Sequence, residues 1–149
     1  MAKKVGIFLC DCNRSLPLDV GAITRSLNLP TQPQLYSRLR LDDIHPLKYQ
    51  AQKEKYDRLL IGCCGPRDFF LQELGTIGFQ PEQIQFLNLK EECFWVHEGR
   101  EAANGKAARL LRASLETAEA RRQLPERPVK AGDLIFIAAE SPLAFSLAR

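Results

Sequence analysis

The sequence predicts a small, doubly wound α/β fold in which a mainly parallel sheet carries helices on both faces. Three observations lead there. Four times along the chain a short apolar run with β-branched and aromatic residues precedes a segment whose apolar positions have helical spacing. Neighbouring parallel strands need crossover connections, which such helices supply, so a strand–helix repeat closes most simply as a parallel sheet. The 149 residues, 45% of them hydrophobic, suffice for one well-buried core and fall short of two ordinary domains.

Each element can be justified in turn. Lys4 to Cys10 reads as the first strand, and Asp19 then precedes Val20, Ala22, Ile23 and Leu27 on one face of a helix. Pro30 and Pro33 bracket a loop, Leu35 to Leu39 reads as a second strand, and Asp42-Asp43 opens a polar helix toward Tyr56 with Pro46 near its first turn. Arg58 to Gly62 is the third strand; Cys63-Cys64-Gly65-Pro66 leads from it into Phe69, Phe70, Leu74 and Ile77 at helical spacing, stopped by Gly78. After Pro81, Ile84 to Leu89 is the fourth strand, and Glu98 to Arg122 forms a long helix rich in alanine, leucine, glutamate and arginine. Gly105 within that helix costs about 1 kcal/mol against alanine. Gln123 to Lys130, with two prolines, reads as a linker, and Asp133 to Ala139 as another strand before Pro142. The expected organisation is one α/β domain over residues 1–122, followed over 123–149 by a linker and an extra βα unit.

The formal charge of +3 arises from 21 basic and 18 acidic residues spread along the chain, too mild a balance to argue for a nucleic-acid partner. Lys3-Lys4 before Val5 to Leu9 superficially has the form of a signal peptide, but the apolar run is five residues long and ends in Cys10-Asp11-Cys12, as a strand would. No apolar stretch approaches the ~20 residues that cross a bilayer. The expectation is a soluble, cytoplasmic protein with no membrane span. Five cysteines are an odd number, and in a reducing cytosol thiols bind metal, react or sit buried more often than they form structural disulfides.

In an open α/β sheet, ligands bind beyond the carboxyl ends of the strands, where loops converge and helix N-termini point. The cysteines follow this placement: Cys10 and Cys12 end the first strand, Cys63 and Cys64 the third, and Cys93 lies just past the fourth. All five are thus expected at one edge of the sheet. Thiolates on separate loop ends suit a soft metal or an iron–sulfur cluster, normally held by four cysteine sulfurs. Cys63, adjoining an apolar strand, also reads as a small buried hydrophobe. For Cys10 and Cys12, which flank a charged Asp11, that bland reading is weaker, since alternation places both on the same side of an extended backbone.

Other thiol chemistries are tested by spacing. A phosphatase-like loop requires an arginine six residues after its cysteine; those positions hold Leu16, Leu18, Phe69, Phe70 and Gly99. No pair has the C-x-x-C spacing of a thioredoxin motif or zinc ribbon. Cys64 precedes Gly65-Pro66 at an expected helix start, where the dipole lowers a thiol pKa, so a reactive thiol stays open. His97 has two readings, metal ligand or hydrogen-bond partner of a neighbouring loop. Trp95, Phe94, Phe69 and Phe70 read as core or as shielding around a cluster rather than as a platform for bases.

Arg58-Leu-Leu-Ile-Gly-Cys-Cys64-Gly-Pro-Arg67, then Asn88-Leu-Lys-Glu-Glu-Cys93-Phe-Trp95-Val-His97 and an alanine-rich helix, resemble the amino-terminal domain of the A-type subunit of heterodisulfide reductase. Val5-Gly-Ile-Phe-Leu-Cys10-Asp-Cys12 is similar to the family's first strand and its cysteine-x-cysteine. The likeness spans roughly residues 4 to 120. It implies a domain carrying a four-iron four-sulfur cluster beside a flavin domain, in complexes that move electrons among flavoprotein, ferredoxin-like and disulfide-reducing partners. It implies Cys10, Cys12, Cys64 and Cys93 as the ligand set, with Cys63 as the substitute.

The departures are specific. Asn13 stands where the family has glycine, Tyr36-Ser37-Arg38 lacks the family's further cysteine, and Gly65 and Phe94 each replace a serine. Leu134-Ile-Phe-Ile-Ala-Ala-Glu140-Ser-Pro-Leu-Ala144 is similar to the strand and turn that open the flavin domain, stripped of every glycine. A pyrophosphate then cannot approach the backbone, so FAD is not expected in this chain. The leading expectation is an electron-transfer component of an oxidoreductase complex, with no catalytic residues of its own. A cluster-free docking or regulatory module of such a complex and a thiol-reactive, sulfur-handling protein are the alternatives.

Overall fold

The structure is a computed structural model that describes residues 4–29 and 32–120. The expected linker, the strand at Asp133 to Ala139 and the boundary at residue 122 lie outside the described residues. Four strands, β1 (Val5–Cys10), β2 (Gln34–Tyr36), β3 (Arg58–Cys63) and β4 (Ile84–Asn88), form one sheet in the order β2-β1-β3-β4. Every pairing is parallel. The helices are α1 (Val20–Leu27), α2 (Ile44–Lys53), α3 (Arg67–Gly75) and α4 (Arg100–Ala120). The expected doubly wound α/β fold is the one found.

Strand alternation builds two cores. Phe8, Cys10, Leu59, Ile61, Cys63 and Ile84 face one side, where they pack with Leu47 of α2 and with Phe70 and Leu74 of α3. Leu9, Leu60 and Leu87 face the other side, against Val20 and Ile23 of α1 and Ala107, Ala108 and Leu111 of α4. The centre of the sheet is dry on both faces, and β3 is buried along its whole length, as expected of a parallel strand covered twice.

Local chemistry sets the element ends. The Asp19 carboxylate accepts from the backbone N–H of Ala22 at 2.8 Å, capping α1, and Asn28 closes that helix in the left-handed conformation at φ 49°. β2 stops at Tyr36, short of the expected Leu39, because the Asp43 carboxylate takes the backbone N–H groups of Ser37 and Arg38 at 3.0 and 2.7 Å. The chain turns away from the ladder there, and Leu39 reaches the core from the loop. After β4 the chain winds into a π-helical turn over Lys90–Phe94, in which the N–H of Trp95 donates to the Lys90 carbonyl at 2.9 Å. Periodicity gives no sign of that turn. Among the described residues no helix is long and apolar enough to cross a membrane.

Candidate functional site: a cysteine-lined cleft

The winding direction reverses between β1 and β3: α1 carries the chain from β1 outward to β2, and α2 returns it across β1 to β3. Loops diverge at such a point, and a crevice opens beyond the carboxyl ends of the strands. Here it is a cleft of about 470 Å³, with Cys10, Cys12, Cys63 and Cys64 in its lining. Register places two of them. Leu9 pairs with Gly62, so Cys10 and Cys63 follow side by side on the face that holds Phe8 and Ile61.

Cys12 comes from the loop that continues β1. That loop runs through three successive left-handed residues, Cys12, Asn13 and Arg14, at φ 51°, 60° and 61°, a conformation that costs L-residues about 1 kcal/mol or more apiece. A set of hydrogen bonds holds it. Asp11 N–H donates to the Tyr36 carbonyl at 2.9 Å and Asn13 N–H to the Ser37 carbonyl at 2.6 Å, prolonging the β1–β2 pairing past the strand ends. The Asp11 carboxylate accepts from Arg14 N–H at 2.9 Å and from the Ser37 hydroxyl at 3.2 Å. Asn13 therefore meets the same backbone demand that a glycine meets, since asparagine tolerates the left-handed region better than other side chains do.

Cys10 and Cys63 are buried, Cys12 is half-buried and Cys64 is exposed. The Cys12 backbone N–H lies 3.4 Å from the Cys10 sulfur, and when Cys10 is protonated its thiol reaches the Ser37 carbonyl at 3.6 Å. Hydrogen bonds from the thiols of Cys12 and, next, Cys63 hold the Cys10 pKa far below the ordinary thiol range, against the effect of burial. The donors move the other way: Cys12 and Cys63 are raised, first by their bonds to Cys10. Cys10, Cys12 and Cys63 thus titrate as one interacting set, in which the Cys12 N–H directed at the Cys10 sulfur favours the anionic form of Cys10.

Cys93 is elsewhere. The π-helical turn directs it to the other face of the sheet, where it is 0% exposed and packed among Leu9, Leu89, Ala107 and Leu111. Burial, and then the charge of Glu92, push its thiol up to about 11. Cys10, Cys12, Cys63 and Cys64 line one cleft; Cys93 follows β4 at the same end of the sheet but packs in the core of the other face, against which Cys12 also packs. His97 is also outside the cleft; its Nδ1 bonds the Cys93 carbonyl at 3.0 Å and closes its own turn. Cys63 and Cys64 are adjacent in sequence, and alternation alone would put them on opposite faces; β3 ends at Cys63, and the bend at Cys64-Gly65 is what leaves both on one cleft.

Four cysteine sulfurs on a single cleft match an iron–sulfur cluster in number and in softness. Among the described residues no group of three or more histidine, cysteine or acidic side chains is arranged to hold a single metal ion. A cluster held by four thiolates is a larger group than a lone tetrahedral ion, and four cysteines lining one cleft are the donor set it takes.

No protein-family model matches the chain. It is 30% identical over 123 residues to the A-type subunit of the ferredoxin:CoB-CoM heterodisulfide reductase of Methanosarcina acetivorans, an alignment covering 78% of this chain and 15% of that protein. Against the A-type iron-sulfur subunit of the CoB–CoM heterodisulfide reductase of Methanocaldococcus jannaschii it is 27% identical over 140 residues, covering 87% of this chain and 21% of the relative. A Methanopyrus kandleri protein of the same description is 26% identical over 144 residues, covering 90% and 22%. The chain spans between 15% and 22% of the length of these relatives. In sequence and along most of its length, this chain is a domain similar to the A-type subunits of heterodisulfide reductases.

Proposed function

We propose that the chain is an iron–sulfur electron-transfer domain of a heterodisulfide-reductase-like complex, in which Cys10, Cys12, Cys63 and Cys64 hold a four-iron four-sulfur cluster. The observation that carries this reading is the convergence of those four thiols on one cleft at the switch point of the sheet. Cys63 takes the place assigned by resemblance to Cys93, because Cys93 is sequestered on the opposite face. Two of the relatives are named as iron–sulfur subunits. A bound cluster supplies one-electron transfer at a potential set by nearby hydrogen bonds and solvent access.

The chain's own contribution is positional. Rigid central strands fix Cys10 and Cys63, the hydrogen-bonded loop fixes Cys12, and the turn into α3 presents Cys64 toward solvent. The Cys12 N–H aimed at the Cys10 sulfur stabilises an anionic thiolate, the form in which cysteine ligates. Flavoprotein, ferredoxin-like or disulfide-reducing components are the proposed neighbours of such a relay in the complex.

The test is iron and acid-labile sulfide content of protein purified without oxygen, for the parent chain and for Cys63→Ala and Cys93→Ala. Expected are about four irons per chain, lost with Cys63→Ala and retained with Cys93→Ala. Folded protein that takes up no iron on anaerobic reconstitution overturns the reading and favours a cluster-free docking module. Loss with Cys93→Ala and retention with Cys63→Ala overturns this ligand set.

A further inference from the structure

The rim of the cysteine cleft differs from its floor. The two central strands supply the cysteines, whereas the loops after the edge strands β2 and β4 supply the lips. One lip carries Arg38, Arg40 and Leu41; the other carries Lys90, Glu91 and Trp95. Leu41 is 60% exposed, Trp95 66% and its neighbour Val96 65%, three of the five large exposed hydrophobic residues among those described. Isolated exposed apolar residues are ordinary on a protein surface, but apolar residues facing each other across a functional cleft are the pattern of a contact site.

Charge gives the sign of the partner. Around the cysteines, the rim of the cleft carries three cations, Arg38, Arg40 and Lys90, against one carboxylate, Glu91. Arg38 is partly neutralised by Asp42, with which it forms an exposed ion pair. The ammonium of Lys90 sits 5.0 Å from the centre of the Trp95 ring, so the lip presents a cation and an aromatic face as one ordered unit. The stem of Arg40 crosses the turn at Gly65, where an added Cβ would stand 3.0 Å from its Cδ. The absence of a side chain there leaves room for the arginine to lie along the cleft mouth.

We propose that this rim is the docking surface for a redox protein whose contact face is acidic around an apolar centre, with Trp95 and Leu41 as apolar anchors and Arg38, Arg40 and Lys90 as the charge ring. The redox character of the partner rests on the relay reading above; the sign of its charge and the apolar centre rest on the rim alone. An electron relay gains from such a surface because complementary charge speeds encounter and the exposed anchors bring the partner over the cleft, with little penalty to release.

The experiment is binding of the full chain to an acidic two-iron ferredoxin by isothermal titration, with a basic cytochrome c as control. It is run on iron-loaded and iron-free protein at low and at physiological salt. The ferredoxin binds and the cytochrome does not; raising the salt to about 0.15 M weakens binding several-fold. Arg38→Glu combined with Lys90→Glu lowers affinity at least about tenfold, and Trp95→Ala does so by a comparable factor. Both variants alter exposed or half-exposed side chains, and a thermal melt matching the parent shows that they fold. Iron-loaded protein that fails to bind the ferredoxin, binds both proteins alike, or is indifferent to the variants overturns the docking surface and leaves the relay standing. Binding that persists in a chain unable to take up iron leaves the surface standing and removes the relay.

Discussion

The carboxamide oxygen of Asn104 in α4 accepts from the backbone N–H of Asp19 at 2.7 Å, across 85 residues of sequence. The same side chain donates to the carbonyls of Pro17 and Arg100 at 2.9 and 2.8 Å. A buried asparagine thereby ties the start of α1, and through it the loop that carries Cys12, to the last helix of the described fold.

Removing that side chain takes the partner from the Asp19 N–H and from the Pro17 carbonyl. Asn104→Ala is expected to destabilise the chain by about 1–3 kcal/mol, the cost of losing three hydrogen bonds to part-buried backbone groups. Asn104→Asp keeps the acceptor for Asp19 and loses the two donated bonds, so it too destabilises. Urea unfolding of the three proteins checks this; a loss under about 1 kcal/mol for the alanine variant contradicts it.

The left-handed run at Cys12, Asn13 and Arg14 gives a second expectation. Asn13→Gly leaves stability within about 0.5 kcal/mol of the parent, because glycine accepts the φ of 60° freely. Asn13→Val costs about 2 kcal/mol, since a branched Cβ is poorly tolerated there. The same urea series reads both, and equal stability of the glycine and valine variants would show that the loop does not hold this conformation.

Cys93 predicts a pH dependence with a definite sign. Its thiol is raised from an ordinary 9.0 to about 11, first by burial, so the folded state holds the proton more tightly than the unfolded state. The associated stabilisation is complete below pH 9 and is lost as pH rises from 9 to 11. At about 1.4 kcal/mol per unit, the difference in stability between the parent and Cys93→Ala should shrink by about 2 kcal/mol across that window. Urea titrations at the two ends measure it, and a constant difference would place the thiolate in contact with water. Slow alkylation of Cys93 at neutral pH in the folded chain is the companion observation.

The strand–helix repeat was legible because a parallel sheet covered on both faces demands apolar runs at β1, β3 and β4, and the runs at Val5, Arg58 and Ile84 meet that demand without ambiguity. The short edge strand was legible only in part. Leu39 is as apolar as a strand residue should be, but the Asp43 carboxylate, supplied from the start of α2, takes the backbone N–H groups of Ser37 and Arg38 and ends β2 at Tyr36. Asn104 offered no signal at all, since its partners at Pro17 and Asp19 are remote in sequence.

By itself the sequence determined the α/β class, the order of its elements and the placement of its cysteines near strand ends, because these follow from local periodicity and from where turns must fall. Only the tertiary structure decided which thiols meet. Strand register set Cys10 beside Cys63, a strained loop folded Cys12 over them, and one π-helical turn after β4 sent Cys93 to the opposite core. The face a side chain takes at the end of a strand depends on one or two backbone dihedrals, and long-range packing, not the local sequence, fixes those angles.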